Sequence, residues 1–181
     1  MDRQKAIKAI EDLLDALGED RGREGLKETP RRVADAFAEF VAGRDKTAEE
    51  YLTKTFTCAD SEIVVERDIE FSSTCEHHLM PFFGKITIAY IPDGKVVGLS
   101  KLARTVEVYS KRLQLQERLT SDIADGIMKY LAPKGVFVVC EAVHTCMTCR
   151  GVKKQDSKTL SYCIRGDFPE DKKREVLSLI Q

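Results

Sequence analysis

The first seventeen residues carry Ala6, Ile7, Ile10, Leu13, Leu14 and Leu17 at intervals of mostly three and four. That spacing lines one face of an α-helix and predicts a helix stopping at Gly18. The stretch "ETPRRVADAFAEFVAG" repeats the helical period, with Thr29 suited to the N-cap, Pro30 to the first turn and Gly43 to the exit. From Glu62 the period changes. "SEIVVERDIEFSS" and "GKITIAYIPDGKVVG" are rich in β-branched residues and partly alternate, as strands do, and Pro92 to Gly94 marks a turn. Between Ser100 and Leu131 the helical period returns, divided near Leu115 into two helices. "GVFVVCEAVH" and "KTLSYCIRG" predict two further strands, and a short helix from about Glu170 to Ile180 ends the chain.

The order α-α-β-β-α-α-β-β-α predicts an α+β fold: an antiparallel four-stranded sheet built ββ-αα-ββ with helices on one face, an N-terminal helical hairpin and a short C-terminal helix. The chain is expected to divide into a helical region, 1–55, and a domain carrying the chemistry, 56–181. A four-stranded sheet keeps two open edges, which invites continuation of the sheet from one subunit to the next.

Composition narrows the function classes. Hydrophobic residues make up 43% and charged residues 33%, a balance that suits a soluble globular protein. Lys and Arg number 29 against 30 Asp and Glu, so no excess of positive charge is available for generic nucleic-acid binding, although a local anion site remains open. No apolar run reaches the ~18–20 residues that span a membrane. The charged N-terminus lacks the apolar core of a signal peptide, so a cytoplasmic location is expected. There the six cysteines are thiols or metal ligands rather than disulfides.

Two clusters concentrate the chemistry. "STCEHHLMPF" sets Cys75, Glu76, His77 and His78 in consecutive positions, and "HTCMTC" supplies His144, Cys146 and Cys149. The Cys-x2-His spacing lets one tight turn direct a thiolate and an imidazole at one ion, a ligand pair that favours zinc. Two completions are possible. Cys75, His78, Cys146 and Cys149 would close a structural site, whereas three protein ligands would leave a position for water. His77 and His144 would be spare imidazoles beside the ion, wasteful in a structural site and useful where protons must move. Continuation of the strand would set His144 and Cys146 on one face. A second group lies in "GLSKLARTVEVYSKRLQLQERLT": Ser100 could cap the helix, and Lys101 and Arg104, three apart, could bind a phosphate near its N-terminus or simply face solvent. Glu117 could accept paired hydrogen bonds from an amidine-like edge such as that of guanine, or be an ordinary first-turn glutamate. Arg150 follows the second cluster.

Taken together, "REGLKETPRRVADAF", "STCEHHLMPFFGKITIAYIPDGKVVGLSKLAR", "QLQERLTSDIA", "AVHTCMTCRGV" and "EVLSLI" resemble the GTP cyclohydrolase I family from about Arg23 to the C-terminus. The resemblance implies hydrolytic opening of GTP at C8, loss of formate and rearrangement to 7,8-dihydroneopterin triphosphate. It implies Zn2+ held by Cys75, His78 and Cys146, with His77 and His144 moving protons. It further implies Glu117, with Gln116 beside it, on the guanine edge, Ser100 near the ribose, and Lys101, Arg104, Arg150 and more weakly Arg32 on the triphosphate. The implied fold is the tunnelling fold, and the implied assembly a homodecamer of two pentamers with active sites between subunits. Cys149 matches no ligand position of the family, and Glu76 is expected to hold its turn by a hydrogen bond or salt bridge.

Overall fold

In the computed structural model, which describes residues 1–59 and 63–180, the two N-terminal helical patterns form α1 (Arg3–Ala16) and α2 (Thr29–Phe40). Ser61 and Glu62, the start of the first expected strand, lie outside the described residues. The Asp2 side chain caps α1 by accepting from the Lys5 N–H at 3.0 Å, and Gly18 follows its end at φ 76°, where a side chain would be strained. Thr29 begins α2 instead of capping it: Glu28 takes the cap position, and the Thr29 hydroxyl donates to the Gly25 carbonyl at 3.3 Å. α1 and α2 belong to one compact unit, Met1–Ala42, and everything that follows belongs to a second, Gly43–Gln181.

The second unit runs α3 (Glu49–Leu52), β1 (Thr55–Thr57), β2 (Val64–Cys75), β3 (Pro81–Ile91), β4 (Lys95–Val97), α4 (Leu99–Ser110), β5 (Leu113–Gln114), α5 (Gln116–Tyr130), β6 (Gly135–His144), α6 (Thr145–Thr148), β7 (Thr159–Gly166) and α7 (Glu170–Leu179). The four expected strands are β2, β3, β6 and β7, neighbours in that order and antiparallel throughout. Two features exceed the expectation. The short β5 adds a parallel fifth strand beside β2, and β4 pairs with β1 in a separate ribbon. β4 cannot fold back onto β3, because β2 and β6 occupy both edges of that strand.

Helices pack on both faces of the sheet, not on one. Leu102 and Val106 of α4 and Leu119, Ile123 and Ile127 of α5 bury against Ile86, Ile88, Val136, Val138 and Cys140. The opposite face places Ala89, Phe137 and Val139 with Val176 of α7. The run "GVFVVC" in β6 is therefore apolar at successive positions because each parity meets a core. Each such side chain contributes about 1.5–3 kcal/mol of transfer free energy.

A bulge in β2 sets the direction of everything downstream. Glu66 faces Ile88 and Ile69 faces Ile86, so one extra residue is inserted, with Asp68 at φ 60°. One inserted residue reverses the parity of a strand. Val65 faces the α7 side, whereas Ile69, Phe71 and Cys75 join the core beneath α4 and α5.

Candidate metal centre and its surroundings

Cys75 ends β2, Pro81 begins β3, and residues 76–80 make the turn between them. The Leu79 N–H donates to the Cys75 carbonyl at 2.8 Å, and the Cys75 N–H donates to the Met80 carbonyl at 2.8 Å. Leu79 closes the loop at φ 54°, a left-handed conformation costing a leucine about 1 kcal/mol or more. The result is that Cys75 Sγ and His78 Nδ1 stand 3.7 Å apart.

The third group comes from the far side of β3. Register pairs Phe82 with His144, which carries the end of β6 to the same end of the sheet as the β2–β3 turn. The strand stops at His144 and the chain winds into α6, so Cys146 lies on a helical turn and the strand alternation expected to align it with His144 does not apply. Thr145 fastens α6 to β3 by donating its hydroxyl to the Pro81 carbonyl at 2.6 Å. One ligand atom each from Cys75, His78 and Cys146 then lies within 4.8 Å of the others.

That donor set could hold a metal ion. Tetrahedral zinc with sulfur at about 2.3 Å and nitrogen at about 2.0–2.1 Å sets neighbouring ligands roughly 3.5–3.8 Å apart, which the Cys75–His78 separation of 3.7 Å matches. Burial first, and then the Cys75 thiol beside it, push the Cys146 thiol above its ordinary range, against the pull of Arg150. A cation that binds a thiol favours its thiolate form. Cys149 stands outside the group: its thiol donates to the Thr145 carbonyl at 2.8 Å, so the closed four-ligand arrangement is not assembled.

His144 is half-buried beside this group. Phe82 stacks on its ring at 4.7 Å with 5° between the planes, and Gln116 Oε1 lies 2.7 Å from Nε2. Burial lowers the proton affinity of His144, partly opposed by the Glu117 carboxylate. Glu117 itself is exposed in the first turn of α5. His77 is exposed, its ring meeting the edge of His78 at 6.1 Å.

Glu76 ties the turn to α5. Its carboxylate accepts from Arg118 Nη2, which holds its proton affinity below the usual carboxylate range. Arg118 also donates Nε to Gln114 Oε1 at 2.9 Å, and the Glu76 N–H donates to the Gln114 carbonyl at 3.0 Å.

The expected phosphate residues are dispersed. Ser100 and Arg104 line a cleft of about 700 Å3 between α4 and β2, together with Phe71 and Lys111, and no member of the Cys–His–Cys group lines it. Ser100 does not cap α4, whose cap is Gly98. Lys101 occupies the first turn of α4 and is partly buried. Arg150 is exposed and close enough to Cys146 to act on its thiol. Arg32 is exposed on α2, in the first unit. Gln116, expected beside Glu117 on the guanine edge, is only 2% exposed.

Sequence reasoning missed Phe82, the pairing of Arg118 with Glu76, and Thr120 and Ser161, which hydrogen-bond Gln116 and each other. The spacing of Gln116 and Thr120, four apart on α5, is a signal for their shared face. Phe82 and Ser161 become visible only through strand register, which a single sequence does not show.

Fold and site define a class: an α+β protein with a Cys–His–Cys group that could hold a metal ion and a half-buried histidine two residues from its third member. Residues 6–181 match the profile of the family described as GTP cyclohydrolase I. Similar proteins include "GTP cyclohydrolase 1" of Streptococcus pneumoniae (strain ATCC 700669 / Spain 23F-1), 55% identical over 172 residues and covering 95% of this chain and 94% of that one. "GTP cyclohydrolase 1" of Clostridium kluyveri (strain ATCC 8527 / DSM 555 / NBRC 12016 / NCIMB 10680 / K1) is 57% identical over 168 residues, covering 93% and 91%. A crystal structure of the archaeosine synthase QueF-Like in the apo form aligns with 61% of this chain and 99% of its own, at a TM-score of 0.48 and 19% identity. The chain belongs to the GTP cyclohydrolase I family and is an enzyme of that family.

Proposed function

We propose that this chain opens the purine ring of GTP at C8 by zinc-dependent hydrolysis, releases formate and forms 7,8-dihydroneopterin triphosphate, the first step of folate or pterin biosynthesis. The observation that carries the reading is the meeting of Cys75, His78 and Cys146 within 4.8 Å, with His144 two residues from the third ligand, in a chain of this family. Zinc held by Cys75, His78 and Cys146 supplies, when bound, a Lewis acid that makes water nucleophilic at neutral pH.

The chain's own groups do the rest. Glu117 accepts hydrogen bonds from N1–H and the 2-amino group and orients the base. His144 delivers a proton toward N7, which makes C8 more electrophilic. Its half-burial, with the ring held between Phe82 and Gln116, supports that role. His77 serves the later proton transfers, including the one at the ribose ring oxygen. Ser100 meets the ribose, and Lys101, Arg104 and Arg150 hold the triphosphate. The triphosphate is not cleaved; its binding energy positions the base.

The reading includes the tunnelling fold and a homo-oligomer of two pentamers with active sites between subunits. Two features support it: β7 is an edge strand with Leu160 and Tyr162 exposed, and the Ser100–Arg104 cleft contains no group of the metal centre. A cytoplasmic setting is part of the proposal. Incubation with GTP tests the whole reading: formate and, after oxidation, a pterin chromophore should appear together. GTP left intact by the zinc-loaded protein would sink it.

A further inference from the structure

Gln116 is a buried side chain whose every hydrogen bond can be assigned a direction. Its Nε2 lies 3.0 Å from the Cys140 carbonyl, 3.0 Å from the Thr159 carbonyl and 3.1 Å from Ser161 Oγ. Carbonyl oxygens only accept, so the side of the carboxamide facing them must be the NH2 group. Turning it over would set Oε1 against two carbonyls and leave three buried polar atoms in repulsion.

The hydroxyls agree. Thr120 Oγ1 donates its one hydrogen to the Gln116 carbonyl at 2.7 Å. The 2.9 Å contact between Thr120 and Ser161 is therefore donated by Ser161, which leaves Ser161 a lone pair for the Gln116 amide. Gln116 Oε1 thus faces His144, and it can only accept, so Nε2 of His144, 2.7 Å away, carries a hydrogen. Nδ1 has no hydrogen-bond partner among the described residues. The parallel Phe82 ring at 4.7 Å keeps the imidazole in that plane.

The geometry points to Gln116 as a positioning residue that locks the His144 ring in the Nε2–H tautomer and leaves Nδ1 without a partner in the fold. This differs from a place on the guanine edge, which a carboxamide with both ends engaged inside the fold cannot serve without breaking these bonds. The proton-transfer role of His144 rests on the proposed function, whereas the tautomer does not.

Histidine ring 15N labelling of the full-length zinc-loaded enzyme tests the lock directly. Only three histidines contribute signals, and His144→Ala identifies the one required. We expect a protonated Nε2 and a bare Nδ1 on the neutral ring. A bare Nε2 overturns the inference whether or not GTP is consumed, and failure to consume GTP overturns the proposed function while leaving the tautomer result standing. Gln116→Met, which removes the acceptor at similar volume, should mix the two tautomers and lower kcat for GTP by about 10²-fold with little change in KM. A raised KM with kcat intact returns Gln116 to the guanine edge. Should the variant fail to fold, the wild-type spectrum still decides.

Discussion

Cys146 and Cys149 are three residues apart and have opposite surroundings. Cys146 stands in the group with Cys75 and His78, while Cys149 is exposed and donates its thiol to the Thr145 carbonyl at 2.8 Å. Cys146→Ser should weaken zinc binding by more than about 10-fold, and Cys149→Ser should leave one zinc per chain after dialysis, read by atomic emission. Equal loss in both variants would restore the closed four-ligand site. Cys140 carries a different prediction. Burial first, and then the Glu117 and Glu141 carboxylates, push its thiol from 9.0 up to about 12. The folded protein therefore keeps a proton that the unfolded chain releases above about pH 9. Stability from this group is intact below about pH 9 and declines as pH rises toward about 12. The stability advantage of wild type over Cys140→Ala, measured by urea unfolding, should shrink across that window. An advantage that grew with pH would mean the thiol is not protected by burial.

Among the elements, β3 and β6 approach each other closely at Gly84. A Cβ on Gly84 would stand 2.0 Å from the Glu141 carbonyl oxygen, a backbone atom with partners of its own. Gly84→Ala should destabilise by about 1–3 kcal/mol, lowering Tm by roughly 2–4 °C per kcal/mol. An unchanged Tm would show that the two strands can part at no cost. The long elements were legible because their periodicity is strong: the α4–α5 pair, the division near Leu115 and the four main strands all follow from apolar spacing. The short ones were not. β1, β5, α3 and α6 have two to four residues each, and what they pair with decides them, not local propensity; for β4 the strand character was legible but not its partner β1. The same limit applied at the site. The Cys-x2-His turn could be read from spacing, but His144 and Cys146 were expected on one strand face, and the chain turns into α6 between them. The role of Glu76 needed Arg118, forty-two residues away, which no spacing in the sequence connects to it.

At the scale of the molecule, one chain holds its candidate groups in separate places. His144 sits with Gln116 at the end of the sheet that carries the Cys–His–Cys group, and Arg104 lines a cleft between α4 and β2 that no member of that group lines. If one GTP must touch both, the proposed assembly with active sites between subunits would let copies of the chain complete each other, Arg104 from one subunit facing His144 from the next. Mixed assemblies test this arrangement. Arg104→Ala chains keep a sound His144 and His144→Ala chains keep a sound Arg104. After subunit exchange at equal amounts, each shared site draws its two halves independently, and about a quarter of the sites should recover both. At GTP well below KM, where loss of a triphosphate contact is felt most, the mixture should therefore exceed the mean of the two separate variants. No gain on mixing, with exchange confirmed by native mass spectrometry, would put Arg104 and His144 of a single chain around the same substrate, or remove Arg104 from the site. In the second case the cleft would need another occupant, since the triphosphate would no longer account for its cation.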